Sequence, residues 1–252
     1  MTSFTCDPQP ATFNLQEVLT VDYSRLYSMK CASFIHNTQP ATSNLPTGGV
    51  MNSNKQAPHI HLTVKETLLP SFHPLLQGGV SLEARSGMSA KEFLTHELGL
   101  TQEYLDTVVQ TVFLDGKAVD DLGSAYITDG AIMALSAAMP GLLGATLRRG
   151  SFYAAMRKEI SYREVRNADD KGTARVTVKI FNLLLGDLGR VLLEKGIWIR
   201  GEDLQYFFGN RNEKFWAGCV GALLNGKQVD PTSLSGMEWK EEDVSLRVTA
   251  ES

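Results

Sequence analysis

A seven-residue stretch of this chain returns with five of its seven residues unchanged. Leu114-Asp115-Gly116-Lys117-Ala118-Val119-Asp120 returns 110 positions later as Leu224-Asn225-Gly226-Lys227-Gln228-Val229-Asp230. Asp-Gly or Asn-Gly after an apolar run is a hairpin signal, because a type I′ turn needs positive φ at both central residues. Two such turns at this spacing commit the chain to β structure in two places and point to a duplication. Two further matches keep the same order. Thr63-Val64-Lys65 returns as Thr177-Val178-Lys179 at an offset of 114. Asp129-Gly130-Ala131-Ile132-Met133-Ala134-Leu135 lies over Glu241-Glu242-Asp243-Val244-Ser245-Leu246-Arg247 at an offset of 112. The small drift is what loop insertions produce.

Each copy reads strand, strand, helix, strand, short strand, strand. In the first copy, residues 59–69 alternate polar and apolar (Ile60, Leu62, Val64), the period of a half-buried strand. A second strand follows at 80–84. Ser89 is a candidate N-cap with Glu92 three residues on, the spacing of a capping box. Phe93, Leu94 and Leu98 form an apolar helix face that Gly99 ends. Strands are expected at 108–114 and 132–137, with a short return strand from Val119. In the second copy the expected strands are 176–181, 191–199, 220–224 and 244–248, with a helix around 203–208 ended by Gly209. A helix between two hairpins covers one face of a mixed sheet. The expectation is an α+β chain of two tandem domains, 58–141 and 174–252, each a mixed sheet packed on one helix.

Residues 1–57 read differently. They are rich in Pro, Ser, Thr, Asn and Gln, and such a segment buries too little apolar surface to offset the entropy of ordering it. A disordered tail is expected there, with Met51 as an alternative natural start. Residues 142–173 connect the copies and read as partly helical, with Leu142, Leu143, Leu147, Phe152, Ala155 and Met156 along one face. This stretch is locally basic: Arg148, Arg149, Arg157 and Lys158 form a candidate contact surface for an acidic or phosphate group.

The two hairpins and the acidic turns Thr128-Asp129-Gly130 and Glu241-Glu242-Asp243 resemble the ThiS/MoaD branch of the ubiquitin-like, or β-grasp, superfamily, the small sulfur carriers. The resemblance implies tandem β-grasp domains. It also implies a carrier tail ending in Gly-Gly, whose terminal carboxylate is activated. This sequence ends Val248-Thr249-Ala250-Glu251-Ser252, without that pair. The nearest counterparts of a tail are Gly141, after Met139-Pro140, and Gly150, in Leu147-Arg148-Arg149-Gly150.

The remaining features favour binding over chemistry. Cys6, Cys31 and Cys219 are scattered and odd in number, which fits neither a disulfide framework nor a zinc site and suits a reducing cytoplasm. Cys219 lies in an apolar context and is expected to be a buried structural thiol. His59 and His61 share one strand face. A net charge of -4 gives no bulk attraction to nucleic acid, and no apolar run reaches a membrane span. Phe207 and Phe208, adjacent on a helix with Leu204, are not both expected to point inward, which leaves one at an edge as apolar contact surface. The first expectation is therefore a non-enzymatic binding or adaptor protein with no cofactor, acting on another protein. The alternative is a carrier or modifier precursor, cut after Gly141 or Gly150.

Overall fold

Both repeated turns form as their residues dictate. Asp115 and Gly116 have φ of 50° and 75°, and Asn225 and Gly226 have 51° and 76°. In each turn the Asx residue also grips the neighbouring strand. Asp115 Oδ1 accepts from the Ile132 amide at 2.8 Å, and Asn225 Oδ1 accepts from the His59 amide at 2.9 Å. The Asp115 and Asn225 amides return the bond to the Ile132 and His59 carbonyls, each at 2.8 Å. Replacing Gly226 with valine should cost about 1 kcal/mol or more, since a β-branched residue resists positive φ. A denaturation midpoint unchanged by that substitution would count against this turn geometry.

The computed structural model describes residues 57–162, 172–239 and 243–251. The expected tail, apart from its last residue, the candidate start Met51 and the acidic pair Glu241-Glu242 lie outside the described residues. In chain order the elements are β1 (His59–Val64), a 3₁₀ segment (Glu66–Phe72), α1 (His73–Gly78) and β2 (Val80–Arg85). Next come α2 (Ala90–Glu92), continued by a π turn (Phe93–Glu97), α3 (Gln102–Thr107), β3 (Thr111–Leu114), β4 (Lys117–Ala118) and β5 (Ile132–Ser136). Then follow α4 (Gly141–Leu147), a 3₁₀ segment (Phe152–Ile160), β6 (Thr173–Phe181), α5 (Leu184–Lys195) and β7 (Ile197–Arg200). The last are α6 (Gly201–Gly209), α7 (Glu213–Ala217), β8 (Cys219–Leu224), β9 (Lys227–Val229), a 3₁₀ turn (Pro231–Gly236) and β10 (Asp243–Ala250). The Ser89–Glu92 capping box is present, with the Glu92 amide donating to Ser89 Oγ at 3.1 Å and Glu92 Oε2 accepting from the Ser89 amide at 2.8 Å.

The ten strands of the described residues join one mixed sheet in the order β4-β3-β5-β6-β2-β7-β10-β1-β8-β9, where the sequence suggests one sheet per copy. The order is a palindrome of roles. In the first half-sheet β3 pairs antiparallel with β5, β5 parallel with β6, and β6 antiparallel with β2. In the second, β8 pairs antiparallel with β1, β1 parallel with β10, and β10 antiparallel with β7. The halves meet at one ladder pair, Ser81 with Trp198.

This pairing corrects two of the three sequence matches. The hairpins β3–β4 and β8–β9 are equivalent by role. β1, however, plays the part of β5, and β10 the part of β6, whereas the matches align β1 with β6 and β5 with β10. Strands that alternate apolar and polar residues resemble one another wherever they pair, so the pattern fixes a face but not a neighbour. The strand that opens the expected first domain thus pairs with strands of the expected second.

Residues 191–199, read as a strand, are mostly helix. Leu184, Leu185, Leu188, Leu192 and Leu193 are buried along α5, a stripe at helical spacing. α1 and α5 carry the chain between the half-sheets, one from β1 to β2 and the other from β6 to β7, and they pack on each other. Each ends at a glycine with positive φ, Gly79 at 117° and Gly196 at 96°, from which the next strand starts directly. A single buried apolar cluster runs beneath both halves.

Phe207 and Phe208 are both buried, against the expectation that one sits at an edge. α6 is packed on two sides. Phe207 meets Phe72 and Phe215 at centroid distances of 5.4 and 5.8 Å, and Phe208 meets Trp216 and Trp239 at 5.4 and 6.4 Å. The outward aromatic of this helix is Tyr206, 54% exposed.

Candidate functional site

Strand alternation sends one set of side chains into the core and the other to the opposite face of the sheet. On the central strands the core set includes Val80, Leu82, Val176, Val178, Ile197, Ile199, Val244, Leu246, Ile60 and Leu62, all buried. The outward set is largely polar and charged, with Trp198 and Phe181 as its apolar members on these strands. One row crosses the sheet through Ile132, Thr177, Ser81, Trp198, Ser245 and His59. It closes at both ends on the Asx residues of the two hairpins.

Trp198 occupies the middle of that row, on the seam. The Arg175 guanidinium lies 4.8 Å from its ring centroid, a cation–π distance, and His59 meets its edge at 5.7 Å. Arg175 also forms an ion pair with Asp243, which links β6 of one half to β10 of the other. Arg200 is held by Asp203 and Glu202 at 2.8 Å each. On β1, His61 Nε2 sits 3.0 Å from Thr249 Oγ1. Burial, with Arg247 nearby as the smaller cause, holds His61 below the usual histidine range, so it is neutral at physiological pH. Among the described residues, no acid lies within ion-pair distance of Lys179 on β6 or Arg247 on β10.

The basic stretch expected as a contact surface is divided by the fold. Arg157 is 2% exposed and donates to Asp120 Oδ1 at 2.6 Å, to the Thr146 carbonyl at 2.7 Å and to Ser161 Oγ at 3.0 Å. Arg149 donates to the Leu105 and Val109 carbonyls at the end of α3, and burial lowers its pKa. Both cations face inward as structural clamps. Arg148 is exposed. The side chain of Lys158 lies outside the described residues.

Of the candidate tail positions, Gly141 opens α4 directly after Pro140, and the Gly150 amide donates to Asp120 Oδ1 at 3.0 Å. The apolar residues expected to line one face here point largely to solvent, with Leu142 at 65%, Phe152 at 92% and Met156 at 66% exposure, while Leu147 is buried.

Cys219 is buried, its thiol 3.6 Å from the Phe215 carbonyl, and burial pushes its pKa up to about 11. The thiol therefore stays protonated at neutral pH, and only the thiolate reacts. Iodoacetamide at pH 8 should leave Cys219 unmodified in the native protein and label it in denaturant, as read by peptide mass spectrometry. A cleft of about 230 Å³ lies beside α7 and is lined by Leu68, Arg211 and Phe215 among others. Its arginine stacks on Phe207 at 4.0 Å and donates to the Phe207 carbonyl at 3.0 Å, so it serves the fold.

The face around Trp198 was only half visible in the sequence. Arg175, Thr177 and Lys179 are recognisable as outward positions of a strand, but nothing local brings Trp198 and Asp243 beside them. No helix among the described residues is long and apolar enough to cross a membrane. Comparison with family models, with curated proteins and with solved structures finds no match to this chain.

Proposed function

We propose that this chain is a non-enzymatic binding or adaptor protein that holds another protein on the outward face of its sheet. The observation that carries the reading is Trp198. It sits on the seam between the half-sheets, between charged and hydrogen-bonding side chains, on the face turned away from the apolar core. Aromatic residues with a polar surround are the usual anchors of protein interfaces. In this reading the halves are β-grasp units of ThiS/MoaD type that have exchanged strands, supported by the equivalent hairpins and their matching Asx hydrogen bonds. We place its action in the cytoplasm, on the scattered cysteines. The carrier alternative has no comparable support, since a tail ending at Gly150 must first break its bond to Asp120.

The test is a photo-cross-linking residue at Ser245, beside Trp198, in the native cell, with Val191 on α5 as the comparison position. A protein captured reproducibly from Ser245, not from Val191, and lost on Trp198→Ala is the expected result. Equal capture from both positions, or none from Ser245, overturns the reading.

A further inference from the structure

We propose that this face receives an acidic, extended segment of the partner protein, with an apolar residue seated on Trp198 and a carboxylate on each side of it. The inference rests on the binding reading above and names the chemistry of the partner.

Charge is the first argument. The outward face carries Arg85, Arg175, Lys179, Arg200 and Arg247 against Glu83 and Asp243, on a chain whose net charge is -4. Five of the chain's 24 Lys and Arg residues thus stand on this face against two acids on the same strands. Arg175 and Arg200 already have carboxylate partners. Lys179 and Arg247 have none within ion-pair distance among the described residues, and they lie on opposite sides of Trp198. A partner's carboxylates supply what these two lack. His59 and His61 on β1 extend the polar track beyond Arg247.

Spacing is the second. From β6 to β10 the order runs through β2 and β7, three inter-strand steps. Lys179 and Arg247 each lie two residues past the row of Thr177, Ser81, Trp198 and Ser245, on strands that run in opposite directions. About 13 Å along the strands therefore adds to about 14 Å across them, and the diagonal of about 20 Å, which passes by Trp198, is spanned by about six residues of extended chain. Two acidic residues about six apart, with an apolar residue between them, therefore match the face. Single-stranded nucleic acid matches it less well. Its binding platforms use several stacked aromatics and a continuous cationic groove, whereas this face has one tryptophan and a net negative chain behind it.

The experiment is calorimetric titration of the full chain at low salt with three probes. They are a decapeptide with two glutamates six apart around a leucine, the same peptide with glutamine for glutamate, and a single-stranded oligonucleotide of matched charge. The acidic peptide should bind at least tenfold tighter than the glutamine peptide and tighter than the oligonucleotide. Its affinity should fall as salt rises. Lys179→Glu with Arg247→Glu should weaken it at least tenfold while the circular dichroism spectrum and thermal midpoint stay as in the parent. If that pair disturbs folding, Lys179→Gln with Arg247→Gln takes its place, with a smaller loss expected. Equal binding of the glutamine peptide, tighter binding of the oligonucleotide, no binding of the acidic peptide, or full affinity in the folded double variant each overturns the inference. The binding reading then stands if the Ser245 cross-link still captures a protein through a neutral or basic segment. It falls with the inference if no protein is captured.

Discussion

Phe72→Ala should lower stability by about 4 kcal/mol, because deleting a buried phenylalanine ring removes its transfer free energy and leaves a cavity. Phe72 is fully buried at the end of the 3₁₀ segment that leaves β1, and its ring meets Phe207 and Phe215 at 5.4 and 5.5 Å. It joins the first crossing of the chain to α6 and α7 of the second half, so its loss loosens contacts far apart in sequence. Phe72→Leu keeps most of the volume and should lose much less. The measurement is the guanidinium midpoint at unchanged slope. A loss under about 1 kcal/mol for the alanine variant contradicts this placement of the ring.

Arg157→Leu should cost about 2–3 kcal/mol, the loss of charged hydrogen bonds at a buried site. In a chain of this size that lowers the thermal midpoint by roughly 4–12 °C. Arg148→Leu, at an exposed position nine residues earlier in the chain, should be nearly neutral. The contrast separates a clamp from a contact surface, since a solvated basic patch would respond to neither substitution. A double-mutant cycle with Asp120→Ala should show coupling between the partners, because the two side chains are 2.6 Å apart. Additive losses would show that Asp120 acts mainly on the Gly150 amide instead.

What the sequence discloses here is local. The hairpins at Asp115-Gly116 and Asn225-Gly226 and the Ser89–Glu92 box are readable because each satisfies its own backbone within a few residues. Val191 to Ile199 misleads because its apolar residues suit a strand until Leu184, Leu185 and Leu188 are counted with them. The neighbour of each strand is not local at all. β1 offers Ile60, Leu62 and Val64 to the core as β6 offers Val176, Val178 and Ile180, and only the closed sheet distinguishes their positions. The face around Trp198 shares that fate, since Arg175, Trp198, Asp243 and His59 come from four strands.

The placement of β1 has a consequence for biosynthesis. It leaves the ribosome well before its partners, since its bonds run from His59 to Asn225 and from His61 to Thr249, across 166 and 188 positions. At about 5–20 residues per second those partners follow roughly 10–40 s later. Throughout that interval Ile60, Leu62 and Val64 are an unpaired apolar strand on a nascent chain, the kind of segment that chaperones hold. β1 thus waits for strands made long after it, and its half of the sheet closes only once β8 and β10 have been translated.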